Sequence, residues 1–507
     1  MQNDKESFNR VALLSGARFL GMAFSFAIPM YLSRHLSVET YGTYKLVTLI
    51  YWFAQVALNL GLDDSVNYYL RWDRKNFALY SWNALLSNFV ITGIVALGLT
   101  IFRLPIAKLL NDLDLANYLP LLGVLIVVTI CSQQMEGLLI NFNRFKERLY
   151  LDAGTEFLKS AALLGAFILF DSITWALGFL SVLMTLRLIW VVYTIEGHKN
   201  NDGLKYRDGC KFIPTQIKYG LPLGFSRIIT NLLNVENFVI SSFYNITQFT
   251  IYSVGSFENP LINSLRSSVY ELIIIQLIEE VRNGNFQKAE DTWRRMSRKL
   301  LLVIIPFSIY TAFFSKELIT FIYSNKYAES APYLTVFSLY IFIGCLNPEP
   351  LFRAASQTAY ALKIKIVGVI LGVALIFAGA YWISPMGVLW AKIIAVGAMN
   401  LFGLVVGARM INSNFFRLFM WSDLIKLSAL STIFSAILKY CFQDFNWLPF
   451  WILATSFTIF TILLFVASIF THLLKPDEIG HLRYLWLKLM GKFKIGKKLQ
   501  VPLDSEG

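Results

Sequence analysis

The chain is a succession of apolar runs, each long enough to cross a bilayer, from its first residues almost to its last. A helix needs about 20 predominantly apolar residues to span the hydrocarbon, and inside it every backbone polar group must be satisfied within the protein. Windows of this kind cover residues 11–33, 43–62, 78–102, 118–139, 153–170, 172–195, 216–243, 247–277, 299–315, 332–351, 364–383, 385–408, 423–441 and 447–472. Some breaks are as short as Asp171-Ser172 and Ser384-Pro385. The pattern predicts an all-α polytopic membrane protein with about 14 transmembrane helices. Composition agrees: 56% of residues are apolar and only 15% charged, with a mean hydropathy of +0.56. A soluble fold of this size needs far more polar surface. The first run is too long for the core of a signal peptide and lacks a small-x-small cleavage site, so no cleaved leader is expected.

Loop charge supplies the orientation. With the amino terminus placed in the cytoplasm, the inside segments and their flanks carry 32 Lys and Arg residues, against 6 on the outside. Cytoplasmic loops are enriched in Lys and Arg, so both termini are expected inside. The net charge of +13 is thereby explained without nucleic acid as a partner. In the basic tail, Leu482, Leu485, Leu489 and Phe493 recur at helical spacing among lysines, the pattern of a helix lying on an anionic leaflet.

The segments YLSRHLSVETYGTYKLV (31–47) and VISSFYNITQFTIYSVG (239–255) align at an offset of 208 residues. Ser33 then matches Ser241, Tyr41 faces Phe249, and Tyr44 matches Tyr252. Span one corresponds to span seven, which predicts two parallel six-helix bundles related by a pseudo-twofold axis. The expected divisions are 1–212 and 213–410, with two added helices in 411–473 and the basic tail at 474–507. Parallel repeats of this kind are common in transporters and place the substrate path between the halves.

Charges within spans are costly, about 2.5–3.5 kcal/mol or more at the centre, and call for a partner or a wet cavity. Lys45, Glu136, Glu156, Lys159 and Glu271 lie near span ends, where pairing or snorkelling accounts for them. Arg18, Arg227 and Arg266 sit on the leading helices of the two repeats, and none has an acid one turn away. Glu236 and Glu258 lie more than two turns from the arginines, too far for local pairing, and are candidate coupling acids. Guanidiniums grip phosphate bidentately, so the three arginines are candidate ligands for a phosphate or diphosphate. Asn231, Asn234 and Asn263 carry amides suited either to sugar hydroxyls or to interhelical bonds. Pro222, flanked by Gly220 and Gly224, marks an expected bend.

Nothing in the chain suggests an enzyme or a cofactor. The nucleophile-elbow, phosphate-loop and zinc-helix motifs are missing, and the loops are too short for a nucleotide-binding domain. Cys131, Cys210, Cys345 and Cys441 are scattered without a CxxC pair, and the four histidines form no ligand cluster.

The run FAIPMYLSRHLSVETYGTYKLVTLIYWFAQVALNLGLDDSVNYYL resembles the opening of the polysaccharide-repeat exporters, which include the O-antigen translocases. These belong to the multidrug/oligosaccharidyl-lipid/polysaccharide exporter superfamily. The resemblance is carried by Glu39, Tyr41-Gly42, Tyr44 and Asn59-Leu60-Gly61-Leu62. YGLPLGFSRIITNLLNVENFVISSFYNITQFTIYSVG looks like the start of that family's second half. It departs from the pattern in two places: Glu236-Asn237 stands where an aspartate is usual, and Thr250 where a glycine is usual. The resemblance implies a flippase that carries polyprenyl-diphosphate-linked oligosaccharide repeat units across the bacterial cytoplasmic membrane by alternating access. Arg18, Arg227 and Arg266 would hold the diphosphate, with membrane lipids, a polysaccharide polymerase and glycosyltransferases as partners. The competing expectation is a multidrug-type antiporter of the same superfamily, exporting small cations. Such a cavity needs acids, whereas the deep charges on spans one, seven and eight are three Arg against two Glu. A membrane polymerase or ligase would need a large catalytic outside loop, and a scaffold would not need buried arginines.

Overall fold

The sequence Asn59-Leu60-Gly61 interrupts its helix because Gly61 takes the left-handed conformation, with φ of +73°. Helix α1 (Val38–Leu58) stops there, α2 (Leu62–Trp72) resumes, and the two are bent by 41°. The computed structural model describes residues 27–72, 76–142, 144–197, 212–257, 259–445 and 447–473. After α2 the first half continues as α3 (Phe77–Ile101), α4 (Arg103–Leu109), α5 (Leu115–Asn141), α6 (Phe145–Phe170) and α7 (Ile173–Gly197). The second half opens with broken helices. Helix α8 (Ile213–Asn231) contains Pro222, passes through a 3₁₀ turn at Leu232–Val235 and continues as α9 (Glu236–Phe243). Helix α10 (Ile246–Gly255) is followed by α11 (Pro260–Arg282), whose first residue cannot donate a helical hydrogen bond. Then come α12 (Phe286–Phe313), α13 (Ser315–Tyr323), α14 (Ala331–Ile343), α15 (Glu349–Ala354), α16 (Thr358–Trp382) and α17 (Pro385–Met410), with α18 (Trp421–Phe442) and α19 (Pro449–Phe470) last.

The described residues form no β-strand. Among them nine helices are long and apolar enough to cross a membrane, or up to ten if the bent pair α1–α2 is one span. Fourteen unbroken spans are not found among the described residues. Window 11–33 lies mostly outside the described residues, and windows 216–243, 247–277 and 332–351 hold segmented helices. Arg18, Glu258 and the basic tail also lie outside the described residues.

The internal repeat is visible in local geometry. Ser37 caps α1 at φ −67° and ψ 164° by accepting from the Thr40 amide. Asn245 caps α10 at φ −70° and ψ 165° by accepting from the Gln248 amide. Leu32 and Ile240, Ser33 and Ser241, and Tyr41 and Phe249 are buried in matching pairs. Some equivalent residues touch. The Thr247 hydroxyl donates to the Glu39 carboxylate at 3.4 Å. A methyl on Gly42 would come within 2.1 Å of Thr250 Oγ1. Residues separated by the repeat offset meet only at an axis relating the repeats. Thr250, larger than the family's usual glycine, is accommodated because its counterpart is Gly42.

At the end that the charge rule places outside, side chains of one half cap helix C-termini of the other. Arg34 donates to the carbonyls of Phe321 at 2.6 Å and Ile322 at 3.0 Å, in the last turn of α13. Asn111 donates to the carbonyls of Ser241, Ser242 and Tyr244 at the end of α9. In return Lys326 donates to the carbonyls of Arg34 at 3.1 Å and Leu36 at 3.3 Å. The last carbonyls of a helix lack intrahelical partners and carry partial negative charge, so these caps join the halves. The Tyr41 and Tyr323 rings each pack in a T-shaped contact with Tyr327 and lie tilted against each other, with Lys45 Nζ 5.7 Å from the Tyr41 ring centre. Beside Asn111, burial pushes the Asp112 carboxyl above its ordinary range, against the hydrogen bond from Thr43.

Toward the other end the halves meet backbone to backbone. A methyl on Gly61 would lie 2.5 Å from the Gly220 carbonyl oxygen, and one on Gly224 2.7 Å from the Leu60 Cα. Gly61→Ala therefore incurs both a clash and a left-handed backbone, itself costing about 1–2 kcal/mol. Its thermal midpoint in detergent should fall by several degrees. Gly93→Ala, with open space around Gly93, should leave the midpoint unchanged. Helix α18 is docked onto α12 by Arg298, whose side chain is 4% exposed and whose Nε lies 2.6 Å from Asp423 Oδ2.

Candidate functional site

Close approach at Gly61, Gly220 and Gly224 brings the middle of α8 against the α1–α2 turn. Arg227 is carried there. Its Nη1 donates to Asn59 Oδ1 at 2.8 Å and its Nη2 to Asp64 Oδ2 at 2.6 Å. The side chains of Arg227 and Asp64 are 41% and 36% exposed. The expectation of an unpaired guanidinium is corrected for Arg227: its acid comes from the other half, not from its own helix. Two of its five N–H groups are engaged, and the remaining donors sit on a side chain open enough to meet an anion.

Arg266 lies on α11. Its Nη2 donates to Asn263 Oδ1 at 2.9 Å, and no carboxylate pairs with it among the described residues. A methyl on Gly344 would come within 2.6 Å of Arg266 Nη1, so the guanidinium lies directly over that glycine. Arg227 and Arg266 are thus held by different elements. The amides of the other candidate residues are turned to protein groups: Asn231 donates to the Arg227 carbonyl at 2.9 Å, and Asn234 accepts from Lys392 at 3.3 Å.

Glu236 begins α9 and is 1% exposed. Its Oε1 lies 2.6 Å from Lys392 Nζ on α17 and accepts from Asn237 at 3.0 Å. Lys392 also stands 4.8 Å from the centre of the Tyr340 ring. The side chains of Lys392 and Glu236 are 5% and 2% exposed, which makes this a desolvated ion pair tying α9 to α17.

Two cavities lie in the first half, of about 310 Å³ and about 170 Å³. Glu156 and Lys159 line both and pair at 2.8 Å, as their position near a span end predicts. Glu136 bonds Arg187 at 3.0 Å.

Sequence reasoning missed Asp64 as Arg227's partner, because span two was closed at Leu62. Its signal was present: two adjacent aspartates directly after a glycine turn remain at the depth of the turn when the helix resumes. Among the described residues no group of three or more His, Cys, Asp or Glu is arranged to hold a metal ion.

Two sets of helices, broken at their leading elements and meeting where the repeat offset brings equivalent residues together, make a fold shared with solved membrane transporters. The structure is similar to the lipid II flippase MurJ in its inward closed conformation, with a TM-score of 0.73 at 16% identity over 91% of this chain and 99% of that one. It is also similar to a multidrug resistance MATE family transporter in an inward-facing conformation, with a TM-score of 0.55 at 14% identity over 77% and 94% of the two chains. A eukaryotic MATE transporter aligns with a TM-score of 0.51 at 12% identity, over 84% and 99%. No curated protein matches the sequence. The chain belongs to the family described as polysaccharide biosynthesis protein, whose model matches residues 31–332, more than half of its length.

Proposed function

We propose that this chain is a flippase that moves polyprenyl-diphosphate-linked oligosaccharide repeat units across the bacterial cytoplasmic membrane, for synthesis of a cell-surface polysaccharide such as O-antigen or capsule. The observation that carries the reading is the Arg227 guanidinium, held between the halves by Asn59 and Asp64 and still 41% exposed. A diphosphate meeting it contacts both repeats at once, so a relative movement of the repeats is coupled to the cargo's headgroup. Family membership in polysaccharide biosynthesis and a fold like that of a lipid II flippase support the same cargo class. Arg266, with no described carboxylate, and Arg18 on the leading helix are further diphosphate ligands in this reading. Rocking of the bundles 1–212 and 213–410, with Pro222 as a bend, exposes the headgroup alternately to each side, and both termini stay cytoplasmic. Glycosyltransferases supply the cargo inside and a polymerase consumes it outside.

The carboxylates Glu136, Asp152 and Glu156 around the first-half cavities favour a second reading, a multidrug-type antiporter for small cations. Proteoliposomes separate the two. With the purified protein, a fluorescent polyprenyl diphosphate bearing a short oligosaccharide should become accessible in the opposite leaflet at least about tenfold faster than in empty liposomes. Accumulated ethidium should leave no faster. Ethidium export without lipid movement would reverse the assignment.

A further inference from the structure

The two first-half cavities share a wall, and their linings differ. Val47 of α1, Leu125 of α5, Leu163 of α6 and Leu177 of α7 give the larger one an apolar surface. At about 310 Å³ it falls at the lower end of the roughly 300–1,000 Å³ that small-ligand pockets occupy. Tyr44 and Tyr51 line it from one face of α1, two turns apart. Both rings are fixed: Tyr44 packs edge-on against Phe167 at 5.8 Å, and the Tyr51 hydroxyl donates to Thr129 at 3.3 Å. The smaller cavity is polar, lined by Gln133, Glu136, Asp152 and Arg187 beside the shared pair.

Its charges balance. Arg187 bonds Glu136, Lys159 bonds Glu156, and Arg148 lies 3.6 Å from Glu136 and 3.5 Å from Asp152. Three cations meet three carboxylates, which leaves no standing attraction for a dianion or a metal ion. Yet hydrogen-bonding capacity is left over. Arg187, 9% exposed, has a buried Nε with no partner. Asp152 Oδ1 likewise accepts from nothing. Buried polar atoms are nearly always satisfied, so an orphan donor and an orphan acceptor on residues lining one cavity indicate a guest that offers both. A metal cation satisfies only the acceptor, and an anion only the donor. An uncharged hydroxyl-rich ring satisfies both, and its C–H face suits an aromatic wall.

We infer that these cavities seat one or two uncharged sugar residues of the lipid-linked cargo, with Arg187, Asp152 and Gln133 reading hydroxyls and Tyr44 and Tyr51 flanking the ring. This rests on the flippase reading and adds a subsite distinct from Arg227. The test measures binding to the purified chain in nanodiscs, by native mass spectrometry, of two synthetic probes: undecaprenyl diphosphate, and the same lipid bearing a neutral disaccharide. The wild type should prefer the glycosylated probe at least tenfold. Gln133→Ala and Glu136→Gln should each reduce the preference to twofold or less while keeping the affinity for the bare lipid. Gln133→Ala breaks no ion pair, so it keeps the test usable if Glu136→Gln misfolds. Equal binding of the two probes by wild type, or full preference in folded Gln133→Ala, overturns the sugar seat and leaves the flippase reading intact. Binding of neither probe overturns both. Sodium-dependent binding with no sugar preference overturns the seat in favour of a cation site.

Discussion

Arg227→Ala should abolish surface polysaccharide while the protein remains in the membrane at close to its normal level. The argument turns on how the guanidinium is spent. It forms two hydrogen bonds, to Asn59 and Asp64, on a pair whose side chains are 41% and 36% exposed. Ion pairs this open contribute about 0–1 kcal/mol to stability, so folding should survive their loss. The cargo's headgroup, by contrast, would lose a charge-assisted and geometrically matched donor, and hydrogen bonds of that kind contribute about 1.5–3 kcal/mol each. Alanine also exposes Asp64, next to Asp63, as uncompensated negative charge where the proposed diphosphate would pass. Electrostatic repulsion then adds to the missing grip, and the rate should fall by at least about a hundredfold. Arg227→Lys restores the charge without the planar fork and should recover a minor part of the rate. Asp64→Asn should be milder, since it keeps the guanidinium and removes only its tether. The measurements are surface polysaccharide by immunoblot, membrane abundance of the protein, and lipid movement in proteoliposomes. Normal polymer from Arg227→Ala would end the diphosphate-clamp reading.

The fold was legible because its strongest determinants are one-dimensional. Apolar length needs no knowledge of packing, and the 208-residue offset was carried by pairs such as Ser33 and Ser241 or Tyr41 and Phe249, which the structure buries alike. What the sequence concealed were partners supplied by other helices. Arg227 looked unpaired because spacing along its own helix reports only neighbours three or four residues away. Asp64 lies 163 residues distant and reaches it through glycine contacts that no periodicity encodes. The same limit hid the partner of Glu236, which is Lys392, 156 residues further along the chain. The segmentation was not legible: α8 runs unbroken through Pro222, and the 3₁₀ turn at Leu232–Val235 that does interrupt the span has neither proline nor glycine to mark it.

The Glu236–Lys392 pair should give the largest stability effect in the chain. With side chains 2% and 5% exposed and 2.6 Å apart, each charge depends on the other. Removing one leaves an uncompensated buried charge, which costs about 3–5 kcal/mol. Lys392→Met alone should therefore lower the thermal midpoint sharply and reduce membrane yield, and Glu236→Leu should do the same. Combining them should recover most of the loss, because replacing a whole buried pair by apolar side chains of similar volume is often neutral or stabilising. That expectation frames the pair's role. If apolar side chains can hold α9 to α17 as well as the ion pair does, stability alone gives no reason for two charges there. Our expectation is that the double variant folds but does not move lipid, because the carboxylate and ammonium are needed when the repeats separate and water reaches them. Transport at the wild-type rate by a stable Glu236→Leu/Lys392→Met protein would instead make the pair a strut and remove Glu236 from any coupling scheme. The two outcomes differ in proteoliposomes even though they are identical in a melting curve, so the transport rate of the refolded double variant is the measurement that decides.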